Sequence, residues 1–184
     1  MQDCAAAISN GMKEDIQNKI QEIVQNLLDK VGFDGTVRLT EGVLGKDGSD
    51  LIENKKEGFM VVSIESDKDL SVLIGKNGQN LIAFDHIAHL LVNRGINSDV
   101  SKLPVNFIVD INDYRKSRAN YLVDIAHNVA KRVIQTQKAE ALLPMNAYER
   151  RLVHTELASF KELQTESIGQ EPRRRIVVKP TLLL

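Results

Sequence analysis

The segment Ile74-Gly75-Lys76-Asn77-Gly78 constrains the fold of this chain more than any other. It lies between two stretches of helical periodicity. Two glycines three apart let a chain reverse tightly between helices without a Cβ penalty. The same lack of side chains lets a polyanion backbone come close, and amide groups at the start of the following helix then point at phosphate. Lys76 adds a charge, and Asn77 tolerates a left-handed conformation or donates a hydrogen bond. The segment is not a nucleotide-triphosphate loop, which needs four residues between its glycines and then Lys-Ser/Thr. Nor is it a dinucleotide fingerprint, because no Gly-x-Gly-x-x-Gly follows a strand.

The elements around this turn read α-β-β-α-α-β. Ile16, Ile20, Ile23, Val24, Leu27, Leu28 and Val31 form one stripe and predict a helix from Glu14 to Val31, stopped by Gly32. Residues 1–13 are expected to be a flexible N-terminus. Thr36–Thr40 alternates as a half-buried strand, and Gly42–Gly58 reads as an exposed hairpin loop. Phe59–Ile64 is a β-branched central strand. A short helical turn at Asp67–Ile74, capped by Ser66 or Asp67, precedes the glycines. A long helix from Gln79 to Asn93 follows, closed by Gly95. Pro104 opens a strand, Val105 to Ile111.

A second module follows. Asn112 or Asp113 is expected to cap a helix reaching about Gln137, with Leu122, Ile125, Ala126, Val129, Val133 and Ile134 inward. A short strand is expected at Ala139–Leu143, and Pro144 then breaks the chain. Asn146 caps a last helix, Ala147–Phe160. Gln164–Ser167 alternates weakly, and Arg173–Val178 is strand-like after a turn at Gly169–Pro172. The reading is an α+β protein of two small α/β modules, 14–112 and 113–180.

Charge separates the same halves. Up to Asn112 there are 11 basic and 17 acidic groups, a net of −6; from Asp113 there are 13 and 8, a net of +5. The chain's total of −1 hides this asymmetry, which is a compositional hint of polyanion binding. No apolar run approaches the ~18–20 residues that span a bilayer, and nothing at the start resembles a secretory signal. One cysteine makes neither an internal disulfide nor a cysteine zinc site, and it fits a reducing compartment. The expectation is a cytoplasmic protein with no membrane insertion.

In the second module, Arg150 and His154 are four apart and share a helix face that can reach one phosphate, with Arg151 beside them. Arg173, Arg174 and Arg175 add a basic cluster able to border that face. Aromatics are 4% of the chain and Trp is absent, so base contacts would rest on aliphatic groove residues and edge hydrogen bonds. Val72, Leu73, Ile74, Leu81 and Ile82 flank the glycine turn as such a groove would.

With these residues in view, the first module resembles a type II KH domain, whose Gly-x-x-Gly loop clamps about four nucleotides. The segment Pro144-Met145-Asn146-Ala147-Tyr148-Glu149-Arg150-Arg151-Leu152-Val153-His154 resembles the R-3-H domain, a single-stranded nucleic-acid module named for Arg-x-x-x-His. A type II KH domain followed by an R-3-H domain resembles the bacterial Jag (SpoIIIJ-associated, KhpB) family, over about Glu14 to Pro180. The resemblance implies a cytoplasmic protein that holds single-stranded RNA through Gly75, Lys76, Asn77, Gly78, Arg150, Arg151 and His154, with Arg173, Arg174 and Arg175. It implies a regulator linked to cell elongation or envelope biogenesis, and a small single-KH protein as partner. Family members often carry a further N-terminal Jag domain, which Met1–Lys13 is too short to hold.

The competing expectation is a protein-interaction or dimerisation module, with a homodimer as one form, because a KH fold does not oblige RNA binding. Single-stranded DNA is a second nucleic-acid candidate, since no residue is assigned to a 2′-hydroxyl. Asp85, His86 and His89 supply part of a metal set with no completing ligand in sight, so no metal and no cofactor are expected. His127 is expected to be a partly buried, hydrogen-bonded residue. No catalytic motif occurs, and an enzyme is not expected.

Overall fold

A computed structural model describes the backbone of residues 2–42, 59–96 and 106–181, and side chains in 14–40, 60–95 and 106–181. The chain divides into two compact units, one ending at Tyr114 and the other running on from Arg115.

The N-terminal unit holds helix α1 (Gln2–Val31), strands β1 (Thr36–Gly42) and β2 (Phe59–Glu65), the short helix α2 (Ser71–Ile74), helix α3 (Gln79–Ile96) and strand β3 (Phe107–Ile111). The order is the expected α-β-β-α-α-β. β2 is central, antiparallel to β1 and parallel to β3. A parallel pair needs a long crossover, and here that crossover carries α2, the glycine turn and α3. The core closes around Ile20, Val24 and Leu28 of α1, Val62 and Ile64 of β2, and Leu81, Phe84, Ala88 and Val92 of α3. Their spacing of three and four puts one face of each helix on the sheet. Gln25 fixes where β1 starts: its Nε2 donates to the Gly35 carbonyl at 3.0 Å, and its Oε1 accepts from the Val37 amide at 3.0 Å.

The structure corrects several boundaries. The first helix begins at Gln2, ahead of the expected start at Glu14. Gly95 lies inside α3 instead of closing it; a Cβ there would come 3.0 Å from Ile23 Cδ1, so its smallness serves helix packing. Ser66 and Asp67 do not cap α2. Leu70 stands at the cap position without a side-chain bond, and Asp69 before it accepts from the Ser71 amide at 2.8 Å, a hydrogen bond that holds its carboxyl below the usual carboxylate range. Asn112 does not cap the next helix. Its side chain bonds both backbone groups of Ser66, at 3.1 and 3.0 Å, while Asn112 and Asp113 turn the chain with φ of 45° and 54°. The expected hairpin loop at Gly42–Gly58 and the strand start at Pro104 fall largely outside the described residues.

The C-terminal unit contains helix α4 (Tyr114–Thr136, whose first residue belongs to the preceding unit), strand β4 (Glu140–Ala141), helix α5 (Ala147–Leu157) and strands β5 (Leu163–Ile168) and β6 (Arg175–Pro180). The sheet order is β4-β6-β5, antiparallel throughout. Leu122, Ala126, Val129 and Val133 of α4 meet Val153 and Leu157 of α5 and Ile176 and Val178 of β6 in one core. α5 starts as expected at Asn146, in a full capping box: Asn146 Oδ1 accepts from the Glu149 amide at 2.9 Å, and Glu149 Oε2 accepts from the Asn146 amide at 3.0 Å. It ends at Leu157, before Phe160, whose amide donates to the Leu157 carbonyl in a turn.

Candidate nucleic-acid interface

The glycine turn is built so that neither glycine tolerates a side chain. Gly75 has φ 70° and ψ 179°, a region essentially reserved for glycine, and a Cβ there would lie 2.5 Å from Asn80 Cγ. Asn80 cannot easily yield, because its Nδ2 donates to the Val72 carbonyl at 2.7 Å and ties α3 back to α2. Gly78, at φ 74°, is buried, and a Cβ would meet Tyr114 Cε1 at 3.0 Å. Asn77 adopts φ 55°, the left-handed conformation that asparagine tolerates.

The amides at this corner differ from expectation. Lys76–Gly78 forms one turn of 3-10 helix: the Gly78 amide donates to the Gly75 carbonyl at 3.2 Å, and the Gln79 amide to Lys76. Both of these amides are used inside the turn, and the Lys76 side chain beside them is exposed. Of the flanking apolar residues, Leu73 and Leu81 are buried in the core, whereas Val72 (68% exposed) and Ile82 face solvent.

In the C-terminal unit the Arg-x-x-x-His pair splits. Arg150 is buried, 8% exposed. Its Nη1 donates to the Met145 carbonyl at 2.7 Å and its Nη2 pairs with Glu171 at 2.7 Å. The expectation that Arg150 and His154 offer one open face to phosphate is corrected for Arg150: it is buried, and both of its terminal nitrogens are engaged by the fold. A second ion pair braces the same helix, from Arg118 Nε to Glu149 Oε1 at 2.7 Å. Arg151 and His154 are exposed.

Arg173, Arg174 and Arg175 are also exposed, and the fold brings this cluster next to the start of α5. The Met145 amide donates to the Arg174 carbonyl at 3.2 Å, and Arg150 grips both Met145 and Glu171. Strand β5 then joins the two basic groups. His154 Nδ1 shares a hydrogen bond with Thr165 Oγ1, and Arg174 Nε donates to Ser167 Oγ at 3.0 Å. Thr165, Ser167 and Glu171 belong to this surface, and the buried Glu149 supports it from beneath, although sequence reasoning missed them. The alternation of β5 marks Thr165 and Ser167 as side chains on one face, yet their basic partners come from other elements and leave no local signal.

Of the weaker candidates, Asp85 accepts from the Val109 amide at 2.7 Å, and His89 stacks on Phe107 with ring centres 3.9 Å apart. No metal-binding cluster of His, Cys, Asp and Glu occurs among the described residues. His127 hydrogen-bonds Glu156 at 2.9 Å beside the Phe160 ring, the role expected of it.

Residues 120–180 match the R-3-H domain, and they contain α5, β5 and β6. Over 173 residues the chain is 31% identical to the RNA-binding protein KhpB of Clostridium symbiosum, covering 94% of this chain and 70% of that protein. The chain belongs to the KhpB family. It is 38% identical over 107 residues to the Lactiplantibacillus plantarum member, covering 58% of this chain and 32% of that protein. With the Bacillus subtilis member it shares 30% identity over 142 residues, covering 76% of this chain and 64% of that protein. Both of these relatives also carry the name RNA-binding protein KhpB. Among the described residues no helix is long and apolar enough to cross a membrane.

Proposed function

We propose that this chain is an RNA-binding protein, not an enzyme, that holds single-stranded RNA at two places. In the N-terminal unit, read as a type II KH domain, Lys76 and Asn77 on the Gly75–Gly78 turn grip one stretch of backbone. In the R-3-H domain, Arg151, His154 and Arg173–Arg175 grip another, and Arg150 holds that surface in shape. The observation that most supports this reading is the convergence of His154 and Arg174, from separate elements, on two hydroxyls of one strand. Two weak sites on one chain raise each other's effective concentration, so neither need bind tightly alone. Single-stranded DNA is the alternative ligand at the same residues, since none is assigned to a 2′-hydroxyl. The cellular role we assign is cytoplasmic regulation of cell elongation or envelope biogenesis, with a small single-KH protein as partner.

Two double variants test the assignment: Lys76→Asp with Asn77→Asp, and Arg151→Ala with Arg174→Ala. Each should weaken binding to single-stranded RNA and flatten its salt dependence, because fewer phosphate contacts release fewer counterions. A pair that binds with unchanged affinity and slope removes its module from the site.

A second reading draws on α3, which turns Ile87, Leu90 (57% exposed) and Leu91 to solvent. Such a face favours a protein-binding or dimerising role for this unit. Sedimentation of the wild type against Leu90→Glu decides it: self-association abolished by the charge supports dimerisation, and a monomer in both excludes it.

A further inference from the structure

We propose that Thr165 and Ser167 are positioning residues that set His154 and Arg174 side by side, with His154 Nε2–H and the end of the Arg174 guanidinium turned outward to the phosphates of single-stranded RNA. This inference rests on the RNA reading above and names what gives that site its shape. Residues two apart on a strand point to the same side, about 7 Å apart. The buried Leu163 occupies the same side of β5, so Thr165 and Ser167 continue a line that starts in the core. Each carries one short hydroxyl, and each hydroxyl holds one basic side chain.

The bond at His154 matters because imidazole has two distinct nitrogens, and the partner of one fixes what the other presents. Thr165 engages Nδ1. A hydroxyl can donate or accept; on this proposal the Thr165 hydroxyl donates to Nδ1 of the neutral ring and leaves the proton on Nε2. In the charged ring Nδ1–H donates to the hydroxyl, and Nε2 keeps its proton. His154, in the last turn of α5, then offers an outward N–H in both states. At Arg174 the bond to Ser167 uses Nε. The two terminal nitrogens form the edge of the fork that matches phosphate oxygens, and neither has a partner among the described residues.

Ring-nitrogen NMR of the full chain, with and without a single-stranded RNA oligonucleotide, tests this. The His154→Asn spectrum identifies the His154 signals among the four histidines. We expect the neutral ring to carry its proton on Nε2, with Nδ1 showing a hydrogen-bonded shift. In Thr165→Val that shift should disappear and RNA affinity should fall several-fold, and Thr165→Ser should restore both. Ser167→Ala should weaken binding to a similar degree. A neutral ring protonated on Nδ1, or a Thr165→Val chain that binds RNA at full affinity, overturns the inference. Failure of the wild type to bind RNA overturns the functional reading instead, and the ring spectrum, read without RNA, still decides how Thr165 holds His154.

Discussion

Arg150 reaches Glu171 at 2.7 Å from a site that is almost wholly buried, while the Glu171 side chain is 57% exposed. The pair links α5 to the turn that precedes Arg173–Arg175, and the same guanidinium satisfies the Met145 carbonyl. Arg150 thus acts on the basic surface by holding its two parts together.

Arg150→Ala should therefore destabilise the protein by about 1–3 kcal/mol, the cost of leaving a buried acceptor unpaired and a brace undone. Arg151→Ala, one residue on and exposed, should change stability by no more than about 0.5 kcal/mol. Its effect should fall on RNA binding, with a salt slope shallower by about 0.7 for each phosphate it neutralises in the wild type. Urea unfolding and salt-dependent binding on both variants check the division. Equal stability in the two variants would contradict it.

Gly75→Ala should unfold more easily than the wild type by about 1–3 kcal/mol, because φ 70° with ψ 179° excludes a side chain. The added methyl would also press on Asn80, whose bond to Val72 closes the turn. Thermal unfolding reads the loss. A variant as stable as the wild type would show that the turn relaxes freely.

Acid should weaken the tie between α4 and β4. Arg132 grips Glu140 with two hydrogen bonds, at 2.6 and 3.0 Å, and these hold the Glu140 carboxyl below its ordinary value. A group lowered on folding contributes stability above its unfolded pKa and loses it as pH falls through the folded value. Both side chains are partly solvated, so the contribution is small. Wild type should exceed Glu140→Gln in urea resistance at neutral pH, and the gap should close below the carboxylate range. A gap that persists in acid would assign the difference to something other than this ion pair.

Much of this architecture is legible in the sequence because it is written in local patterns. The stripe at Ile20, Val24 and Leu28, the alternation through Val109 and Ile111, and the cap at Asn146 each occupy a few neighbouring positions. The glycine turn is legible for the same reason. What is not legible is long-range. Arg150 and His154 look equivalent on a helical wheel, and only the placement of Glu171 and Thr165 separates a buried brace from an exposed donor. Asn112 has the chemistry of a helix cap, yet Ser66 of a distant turn claims its side chain. Gly95 reads as a stop because its role, clearance for Ile23 of another helix, has no local sign.

The central claim is that this chain binds single-stranded RNA through phosphate contacts. Fluorescence anisotropy of a short labelled RNA pool, titrated with the full chain at several salt concentrations beside matched DNA and duplex controls, tests it most directly. Micromolar or tighter binding to single strands is expected, with a steep loss of affinity as salt rises. No binding at low salt, or equal binding to duplex and single strand with no salt dependence, would contradict it.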